Sequence, residues 1–256
     1  MLPKTQPFMI VVLALGLSLF RVQPAAAYIP PSGFILKSLA AKHSGLAGIQ
    51  VTSFVAGFEN GKPGAQQFKA VSFYNGTTGN LISSAYDSKS GQKLYQVEKH
   101  AGSLSVPATL MLSSNLETLE HGLRSQGVIW DGPGHALVRF KAQVAWTLGE
   151  TEAKLWVEKD SFLPIRLLTG GKLGEIRFEN YRFYKEFPYP RLITLLNSAA
   201  VPLLQDEASE VLVFSDASKV APKMLKLTAP VGFTAEGSAA SSDLQELIKQ
   251  YYEVLR

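Results

Sequence analysis

The chain has 256 residues, with 25 Lys and Arg against 21 Asp and Glu, which gives a formal net charge of +4. Its basic residues are scattered among acidic ones, whereas a nucleic-acid-binding domain normally concentrates them in a patch or stripe. We therefore expect no nucleic-acid partner. The sequence has no cysteine, which excludes a disulfide framework and a cysteine that could be acylated after export.

The first residues have the pattern of a secretory signal peptide. Lys4 precedes an apolar run over residues 8–20, and small residues follow at 25–27 as an A-x-A cleavage site requires. We therefore expect residues 1–27 to be removed on export to the periplasm, which leaves residues 28–256 as one soluble domain. The alternative is an uncleaved membrane anchor, which is disfavoured because the run is shorter than the ~20 residues that span a bilayer.

The next part of the chain predicts a helix followed by an antiparallel meander. Ser32 is a candidate N-cap, apolar residues recur through Leu39, and Gly45 is placed to end the helix. Pairs typical of hairpin turns then separate four strand patterns. The turn pairs are Asn60-Gly61, Asn75-Gly76 and Ser90-Gly91, and the strand patterns lie at 49–58, 67–74, 81–86 and 93–97.

A helical period replaces the strand pattern between residues 106 and 123. Four leucines at spacings of four, three and four lie on one face of a helix. Ser114 and Glu117 have the spacing of a capping box, so the helix is expected to begin near Ser114, with 107–112 as a separate lead-in turn. The leucines are Leu112, Leu116, Leu119 and Leu123.

The second half of the chain predicts more strands and a C-terminal helix. Residues 232–242 are rich in Gly, Ala and Ser, and are expected to form a flexible connection. Ser242 and Gln245 then have capping-box spacing at the start of the last helix. Its apolar stripe consists of Leu244, Leu247, Ile248, Tyr251 and Leu255. The strand patterns lie at 135–148, 154–158, 163–168, 175–179 and 211–214, with Gly170-Gly171 as one of the turns.

Three sequence blocks within these strands resemble one known family. In chain order they read W-V-x-K-D-x-x-L-P-I-R from Trp156, I-R-F-E-N-Y-R from Ile176 and Y-P-R-L-I from Tyr189. This order resembles the middle of the LolA/LolB-like family of periplasmic lipoprotein carriers. The resemblance implies a mainly β fold, in which a strongly curved antiparallel sheet forms an unclosed half-barrel. It also implies helices that cover the concave face above an apolar cavity, whereas no residue here matches the family's arginine associated with lid opening.

Adjacent apolar pairs indicate that the sheet is covered on both faces. The pairs at 167–168, 192–193 and 195–196 break the alternation that a half-exposed antiparallel strand shows. Two interpretations remain open: a closed barrel or sandwich filled by its own side chains, and a concavity left for a ligand. The pattern alone favours neither, and the family resemblance favours the cavity.

The sequence therefore predicts a carrier and not an enzyme. We expect it to bind acyl chains of lipoproteins or lipids and to move them towards the outer membrane, between an inner-membrane donor and an outer-membrane acceptor, without a cofactor. The alternative is a periplasmic lipid-sensing regulatory or protein-interaction module on the same fold, and a hydrolase with a dispersed site is a third, less favoured class. Candidate lining residues, each of which could be ordinary core, are Phe54, Phe73, Leu112, Leu116, Leu119, Trp156, Ile176 and Phe178.

Signatures of catalytic or metal chemistry are missing from the sequence. Glu117 and His121 are more simply a solvated helix pair than a metal site. Ser90 and Lys93 match the S-x-x-K of penicillin-binding enzymes, but they fall in a predicted turn without the accompanying motifs. A row of aromatic residues could stack on sugars, lie at a membrane interface or pack a sheet edge. The row is Tyr181, Phe183, Tyr184, Phe187 and Tyr189, and the histidines, which lack zinc spacing, are His43, His100, His121 and His135.

Overall fold

The computed structural model describes residues 30–130, 137–141, 143–170, 173–216 and 231–256. The expected signal peptide, the first two residues after it, His135 and Gly171 lie outside these ranges.

One antiparallel sheet of twelve strands dominates the described residues. In chain order its strands are β1 (Gly48–Glu59), β2 (Lys62–Asn75), β3 (Leu81–Asp87), β4 (Lys93–Lys99), β5 (Leu137–Phe140), β6 (Gln143–Leu148), β7 (Lys154–Glu158), β8 (Pro164–Leu168), β9 (Leu173–Tyr184), β10 (Phe187–Asn197), β11 (Pro202–Phe214) and β12 (Gly232–Phe233). The order across the sheet is β12-β4-β3-β2-β1-β11-β10-β9-β8-β7-β6-β5. The end strands β12 and β5 do not pair with each other, so the sheet is an unclosed half-barrel, which confirms the predicted fold class.

The helices cover one face of this sheet. They are α1 (Ser32–Ala41), α2 (Val106–Leu112), α3 (Leu116–Ser125), the single turn α4 (Ala235–Ser238) and α5 (Ser242–Val254), with a 3-10 turn at Ala101–Ser103. Apolar residues of α1, α2, α3 and α5 join one large core cluster with strand residues. We call the covered, concave side the inner face and the opposite side the outer face.

Strand alternation decides which side chains reach the inner face. In β1 the residues Ile49, Val51 and Val55 belong to the helix-covered core. Since successive side chains of a strand point to opposite faces, Phe54 lies on the outer face, where its side chain is 51% exposed. The outer face has its own small cluster over β5 to β8, which covers Leu168 of the predicted pair at 167–168 but neither of the two pairs in β10. Its members are Ala145, Trp156 and Ile165, with Val138, Phe140 and Leu168 packed against them.

Helix α2 corrects the expected lead-in turn. Residues 106–112 form a helix of their own, in which the Ser105 hydroxyl accepts a hydrogen bond from the Ala108 amide at 3.2 Å. Pro107 fits this first turn because the amide it lacks would have no helical partner. Helix α3 starts one residue later than expected: Asn115, and not Ser114, caps it by accepting from the Thr118 amide at 3.0 Å.

The other predicted helix starts also move by one residue. Ser32 is the first residue of α1, and Pro31 occupies the cap position. Ser241, and not Ser242, caps α5 by accepting from the Leu244 amide at 3.3 Å. The predicted flexible connection at 232–242 is also wrong, because that stretch contains β12 and α4.

Positive backbone angles explain where the strand boundaries differ from the prediction. Asn60 and Gly61, with φ of 51° and 76°, form the predicted turn between β1 and β2. Lys185 and Glu186 make an equivalent reversal between β9 and β10, with φ of 48° and 70°, although neither is a glycine. Lys141, with φ of 54°, divides the single strand pattern predicted for 135–148 into β5 and β6.

Candidate functional site

The C-terminal helix α5 fills part of the inner face, beside the other helices that cover it. Its buried residues recur along one side of the helix, and the predicted apolar stripe is confirmed in position. Tyr251 meets the ring of Phe68 on β2 edge to face, with centroids 5.3 Å apart. The helix therefore occupies space that would otherwise be open above β1 and β2. Its buried residues are Leu244, Leu247, Ile248, Tyr251 and Tyr252.

A buried ion pair joins the end of α5 to the sheet. Arg256 Nη2 donates to Asp206 Oδ2 on β11 at 2.5 Å, and both side chains are 2% exposed. Arg256 Nε also lies 3.2 Å from the hydroxyl of Ser72 on β2. The guanidinium thus bridges two strands that lie on either side of β1. An ion pair at this depth is costly to break from one side, because the remaining charge stays buried.

Further polar contacts hold the last turn of α5. The Ser83 hydroxyl on β3 donates to the Tyr252 hydroxyl at 3.2 Å, and Lys99 Nζ donates to the Tyr252 carbonyl at 2.7 Å. The amide of Ser105, the cap of α2, donates to the Arg256 carbonyl at 3.0 Å. The C-terminal segment is therefore attached to four strands, β2, β3, β4 and β11, and to the start of α2 by hydrogen bonds as well as by apolar contact.

The tyrosines around this ion pair are neutral hydrogen-bonding groups. Burial raises the pKa of Tyr189 to about 12 and raises the pKa of Tyr251 well above its usual range. Neither phenol is ionised at neutral pH, so Asp206 is the anion that balances Arg256. Tyr251 Oη approaches Asp206 Oδ2 at 3.5 Å. The centre of the inner face is a polar site within an apolar core.

Beside Arg256, among the described residues, the space between α5 and the sheet is too small for an acyl chain. A cavity of about 10 Å³ remains beside Arg256, which is room for no more than one water molecule. The open hollow expected from the sequence is thus replaced, in the described residues, by side chains of α5. The cavity is lined by Ile49, Val51, Ser72, Tyr74, Leu81, Leu112, Tyr189 and Arg256.

A groove runs along one side of α5 where the helix leaves the sheet. It has a volume of about 390 Å³, with Phe58, Leu203 and Leu247 among its lining residues. The Leu247 side chain covers Gly57 of β1, since a Cβ at Gly57 would lie 3.2 Å from a Leu247 methyl. The contact between Gly57 and Leu247 therefore marks the edge at which α5 meets the sheet.

The helical turn α4, which precedes α5, is attached near one edge of the sheet, at β4. Thr234, which caps α4, donates from its amide to the Leu94 carbonyl of β4 at 2.9 Å. Gly237 approaches the same carbonyl so closely that a Cβ there would lie 1.8 Å from the oxygen. Helix α4 is therefore held on β4, and the short link between α4 and α5 is the place where a hinge can act.

Five of the eight candidate lining residues lie at the inner face. Ile176, Phe178, Leu112 and Leu119 are buried in the core cluster, and Leu116 packs against it partly exposed. Leu112 also borders the small cavity. These five therefore lie on the helix-covered side of the sheet, and their role in binding stays a prediction.

The remaining three candidates lie on the outer face. Phe54 is largely exposed, Phe73 stacks on Phe214 with centroids 5.9 Å apart, and Trp156 belongs to the outer cluster. Each is a large aromatic residue in a strand. In each strand, however, the neighbours at odd spacing, such as Val55, Tyr74 or Leu155, occupy the core, so these three aromatic side chains point away from it.

Asp206 and Arg256 were missed because neither carries a local signal of function. The pair is 50 residues apart in sequence. Alternation offered one clue, since Leu204, Asp206 and Ala208 share a face and the two flanking residues are buried. A charged residue at an inward position of a strand is unusual, and it could have been recognised as a site.

The outer face carries a second charged cluster. Glu175 accepts from Arg166 Nη2 at 2.7 Å and from Arg177 Nε at 2.5 Å. Burial would raise the pKa of Glu175, but the hydrogen bonds and charges of the two arginines outweigh it and lower the pKa. The Arg166 guanidinium lies 4.6 Å from the Trp156 ring centroid and 5.0 Å from that of Phe140. This cluster accounts for the burial of Trp156 by stacking.

The predicted aromatic row divides between core and surface. Phe187 and Tyr189 are buried, Tyr181 and Tyr184 pack against the core, and Phe183 is 65% exposed. The Tyr181 hydroxyl donates to the Pro164 carbonyl at 2.8 Å. The row therefore packs β9 and β10 and leaves a single aromatic side chain free to meet a partner.

His43, and Ser90 of the S-x-x-K sequence, make hydrogen-bond contacts within the fold. His43 is buried, with Nδ1 3.3 Å from the Ser113 carbonyl, and burial lowers its pKa to about 4. The Asp87 carboxylate accepts from the Ser90 amide and hydroxyl at 2.6 and 2.8 Å, which places Ser90 in the turn between β3 and β4 as predicted. No group of His, Asp and Glu in the described ranges could hold a metal ion.

Comparison with solved structures gives the fold independently. A domain from Vibrio parahaemolyticus, assigned as an outer membrane lipoprotein-sorting protein, matches with a TM-score of 0.51 at 12% identity, over 76% of this chain and 97% of that one. The fold is LolA-like. A LolA superfamily protein from Nitrosomonas europaea matches with a TM-score of 0.49 at 13% identity, over 75% of this chain and 97% of that one.

A third match to this LolA-like chain is a DUF1329 family protein from Desulfovibrio piger. Its TM-score is 0.40 at 12% identity, over 74% of this chain and 98% of that one. No family model matches the sequence, and no curated protein matches it. Within the described residues, none of the helices combines the length and the apolar character that crossing a membrane requires.

Proposed function

We propose that this LolA-like protein is a periplasmic carrier that takes acyl chains of lipoproteins or lipids onto its inner face when α5 moves away. The observation that carries the proposal is that one of the helices on the concave side, α5, is attached to the preceding chain through a short link and packs over β2 of an open half-barrel. Cargo and helix would then compete for the same surface. The function needs no bond-making step.

The energies of the two occupants are comparable. Each of the five buried α5 side chains contributes about 2 kcal/mol by leaving water, on the order of 10 kcal/mol together. An acyl chain of about sixteen carbons gains on the order of 12 kcal/mol at about 0.8 kcal/mol per methylene. The two apolar terms nearly cancel, and the ion pair of Arg256 and Asp206 adds to the stability of the closed state. Cargo would therefore bind reversibly, which a carrier needs in order to release it to an acceptor.

The anchor and the groove support this direction of movement. Helix α4 stays on β4 through Thr234 and Gly237, so α5 would swing about the link at 239–241. The groove beside Leu247 lies along the edge of α5 and gives a chain a place to enter. Donor and acceptor proteins at the inner and outer membranes belong to this proposal as its expected partners.

A disulfide that locks α5 shut tests the proposal. The sequence has no cysteine, so a Gly57→Cys, Leu247→Cys double variant would carry one thiol pair, at positions where a Cβ on Gly57 lies 3.8 Å from Leu247 Cγ. We expect the reduced protein to bind a fluorescent fatty acid and the oxidised protein to lose that binding. The two single variants under the same oxidant are the controls. Equal binding by the locked and reduced forms would refute the carrier proposal.

The filled interior favours a second candidate, a periplasmic lipid-sensing regulatory or protein-interaction module. In that case α5 would stay closed, and an outer-face surface such as the one around the exposed Phe54 would contact a protein. The locked variant separates the two functions, since a module would keep its partner while a carrier would lose its cargo. Mass spectrometry of the native protein from periplasm adds a direct readout, because a carrier should retain a lipid or acylated mass.

A further inference from the structure

Asp206 is an isolated carboxylate on the inner face. Its neighbours across the sheet are Val55 on β1 and Ile193 on β10, both buried and apolar. The other buried carboxylate of the described residues, Glu175, lies on the outer face with two arginines of the sheet itself. The inner face thus carries one buried acid whose partner is not part of the sheet.

Every hydrogen bond that Asp206 receives from a described side chain comes from the C-terminal segment. Arg256 Nη2 donates to its Oδ2, and Tyr251 Oη lies 3.5 Å from the same oxygen. The other oxygen, Oδ1, is buried and has no hydrogen-bond partner in the described ranges. If α5 leaves the sheet, Asp206 loses both of its partners together.

The other polar groups under α5 do not share this problem. The hydroxyls of Ser72 and Ser83 lie 2.6 Å apart and bond to each other across β2 and β3. They stay satisfied when Arg256 and Tyr252 depart. With a hydrocarbon chain in the place of α5, Lys99 Nζ and the Ser105 amide would also lose a partner, but Lys99 is only partly buried. The Asp206 carboxylate is the deeply buried charge that would be left without a partner, which is strongly unfavourable in an apolar site.

We propose that the ligand of this inner face is an amphiphile with a cationic head group, whose ammonium replaces Arg256 at Asp206. The inference rests on the proposed function, because it requires that α5 give way to an acyl chain. It goes further by naming the charge of the cargo. Anionic amphiphiles are disfavoured by the same site, since their head group would meet a buried carboxylate in place of a cation.

Matched amphiphiles with one alkyl chain test the head-group preference. Dodecylammonium, neutral dodecyl maltoside and dodecyl sulfate are each titrated below their micelle-forming concentrations against a bound fluorescent alkyl probe that carries no charge. We expect dodecylammonium to bind about tenfold more tightly than the neutral probe, since a hydrogen bond to a charged group has that strength. The sulfate is expected to bind more weakly than either.

The Asp206→Asn variant isolates the carboxylate. Losing Asp206 also weakens the closed state, so affinities for all probes can rise, but the ratio of cationic to neutral affinity cancels that effect. We expect this ratio to fall to about one, because no anion remains for the ammonium to pair with. If Asp206→Asn does not fold, the Asp206→Asn, Arg256→Gln double variant removes both charges and is read in the same way.

The outcomes separate this inference from the proposed function. A ratio near one in the unmodified protein, or a high ratio that survives Asp206→Asn, overturns the cationic preference and leaves the carrier function standing. Failure of all three probes to bind overturns both. Two sources of an ammonium head group are then compared, a lysophosphatidylethanolamine and an acylated peptide with a lysine. If the affinity for neither compound depends on Asp206, that result also counts against the inference.

Discussion

Arg256 and Asp206 form an ion pair that connects the last residue of the C-terminal segment to the middle of strand β11, with both side chains 2% exposed. Charges at this depth interact strongly, and each would be costly alone. The pair therefore attaches the end of α5 to the sheet through charged groups, whereas the other contacts of the helix with the sheet are mostly apolar.

Replacing Arg256 by Met should destabilise the protein by about 3–5 kcal/mol, because Asp206 remains buried without a partner. Urea unfolding of the purified protein measures the change. The Arg256→Met, Asp206→Leu double variant should recover most of the loss, since both charges are then gone.

The surface pair of Arg191 and Glu207 is the matched control for that prediction. Its side chains are 42% and 54% exposed, with Nη2 and Oε1 3.1 Å apart. Arg191→Met should cost at most about 1 kcal/mol, because water solvates the remaining carboxylate. Equal losses at the two pairs would contradict the fastening role of Arg256.

Tyr251→Ala should weaken the closed state and strengthen binding of a fluorescent fatty acid. The substitution removes a buried ring that packs on Phe68 and leaves a cavity, at a cost of about 3–5 kcal/mol in stability. Urea unfolding measures the first effect and fluorescence titration the second. Lys249→Ala, on the exposed side of α5, should change neither. Loss of stability together with weaker fatty-acid binding would count against exchange between helix and cargo.

Stability should fall as the pH drops from about 6.5 to about 4, because of His43. Its pKa is about 4 in the folded protein and 6.5 in the unfolded chain, so the unfolded state binds more protons in this window. Integrated over the window, the contribution is on the order of 3 kcal/mol. Above pH 6.5 the effect is absent, since the imidazole is neutral in both states.

His43→Gln removes this titration while keeping a side chain that can donate to the Ser113 carbonyl. The variant should lose less stability between pH 7 and pH 4.5 than the unmodified protein does. Urea unfolding at a series of pH values provides the comparison. Parallel curves for the two proteins would show that His43 is not the group responsible.

Gly237→Ala should detach α4 from β4. Its Cβ would lie 1.8 Å from the Leu94 carbonyl oxygen, which belongs to the backbone and cannot turn aside. We expect a loss of about 1–3 kcal/mol from this overpacking, measured by thermal unfolding. Gly102→Ala is the control, since nothing lies within 4 Å of a Cβ there, and it should leave the midpoint nearly unchanged. A larger effect at Gly102 would remove the evidence for the anchor.

The sequence was sufficient for most of the sheet because its signals are local. Asn60-Gly61 and the alternation in 175–179 each specify a turn or a strand without help from distant residues. Strand β11 was recognised only at 211–214, although it runs over Pro202–Phe214, because Asp206, Glu207 and Glu210 dilute its apolar pattern. In the structure that stretch lies between β1 and β10, and hydrogen bonds to these two neighbours hold it in the extended conformation of a strand.

The site could be predicted only in part, because it depends on which distant elements meet. Ile176 and Phe178 were placed correctly on the inner face, whereas Trp156 was not, since size and aromaticity do not tell one face from the other. That α5 fills the interior follows from the contact of Tyr251 with Phe68, which no local pattern encodes. The apolar stripe of α5 indicated only that one side of the helix would be buried, and not which residues it would pack against.

The meeting of β1 with β11 has a consequence for how the molecule is assembled. β1 is made early in synthesis and β11 late, yet the two lie side by side in the middle of the sheet. Pairings between segments so far apart in the chain form slowly, because a long loop must close first. Until these two strands pair, each meander exposes an unpaired edge, so the newly made polypeptide has a period of vulnerability to aggregation and proteases.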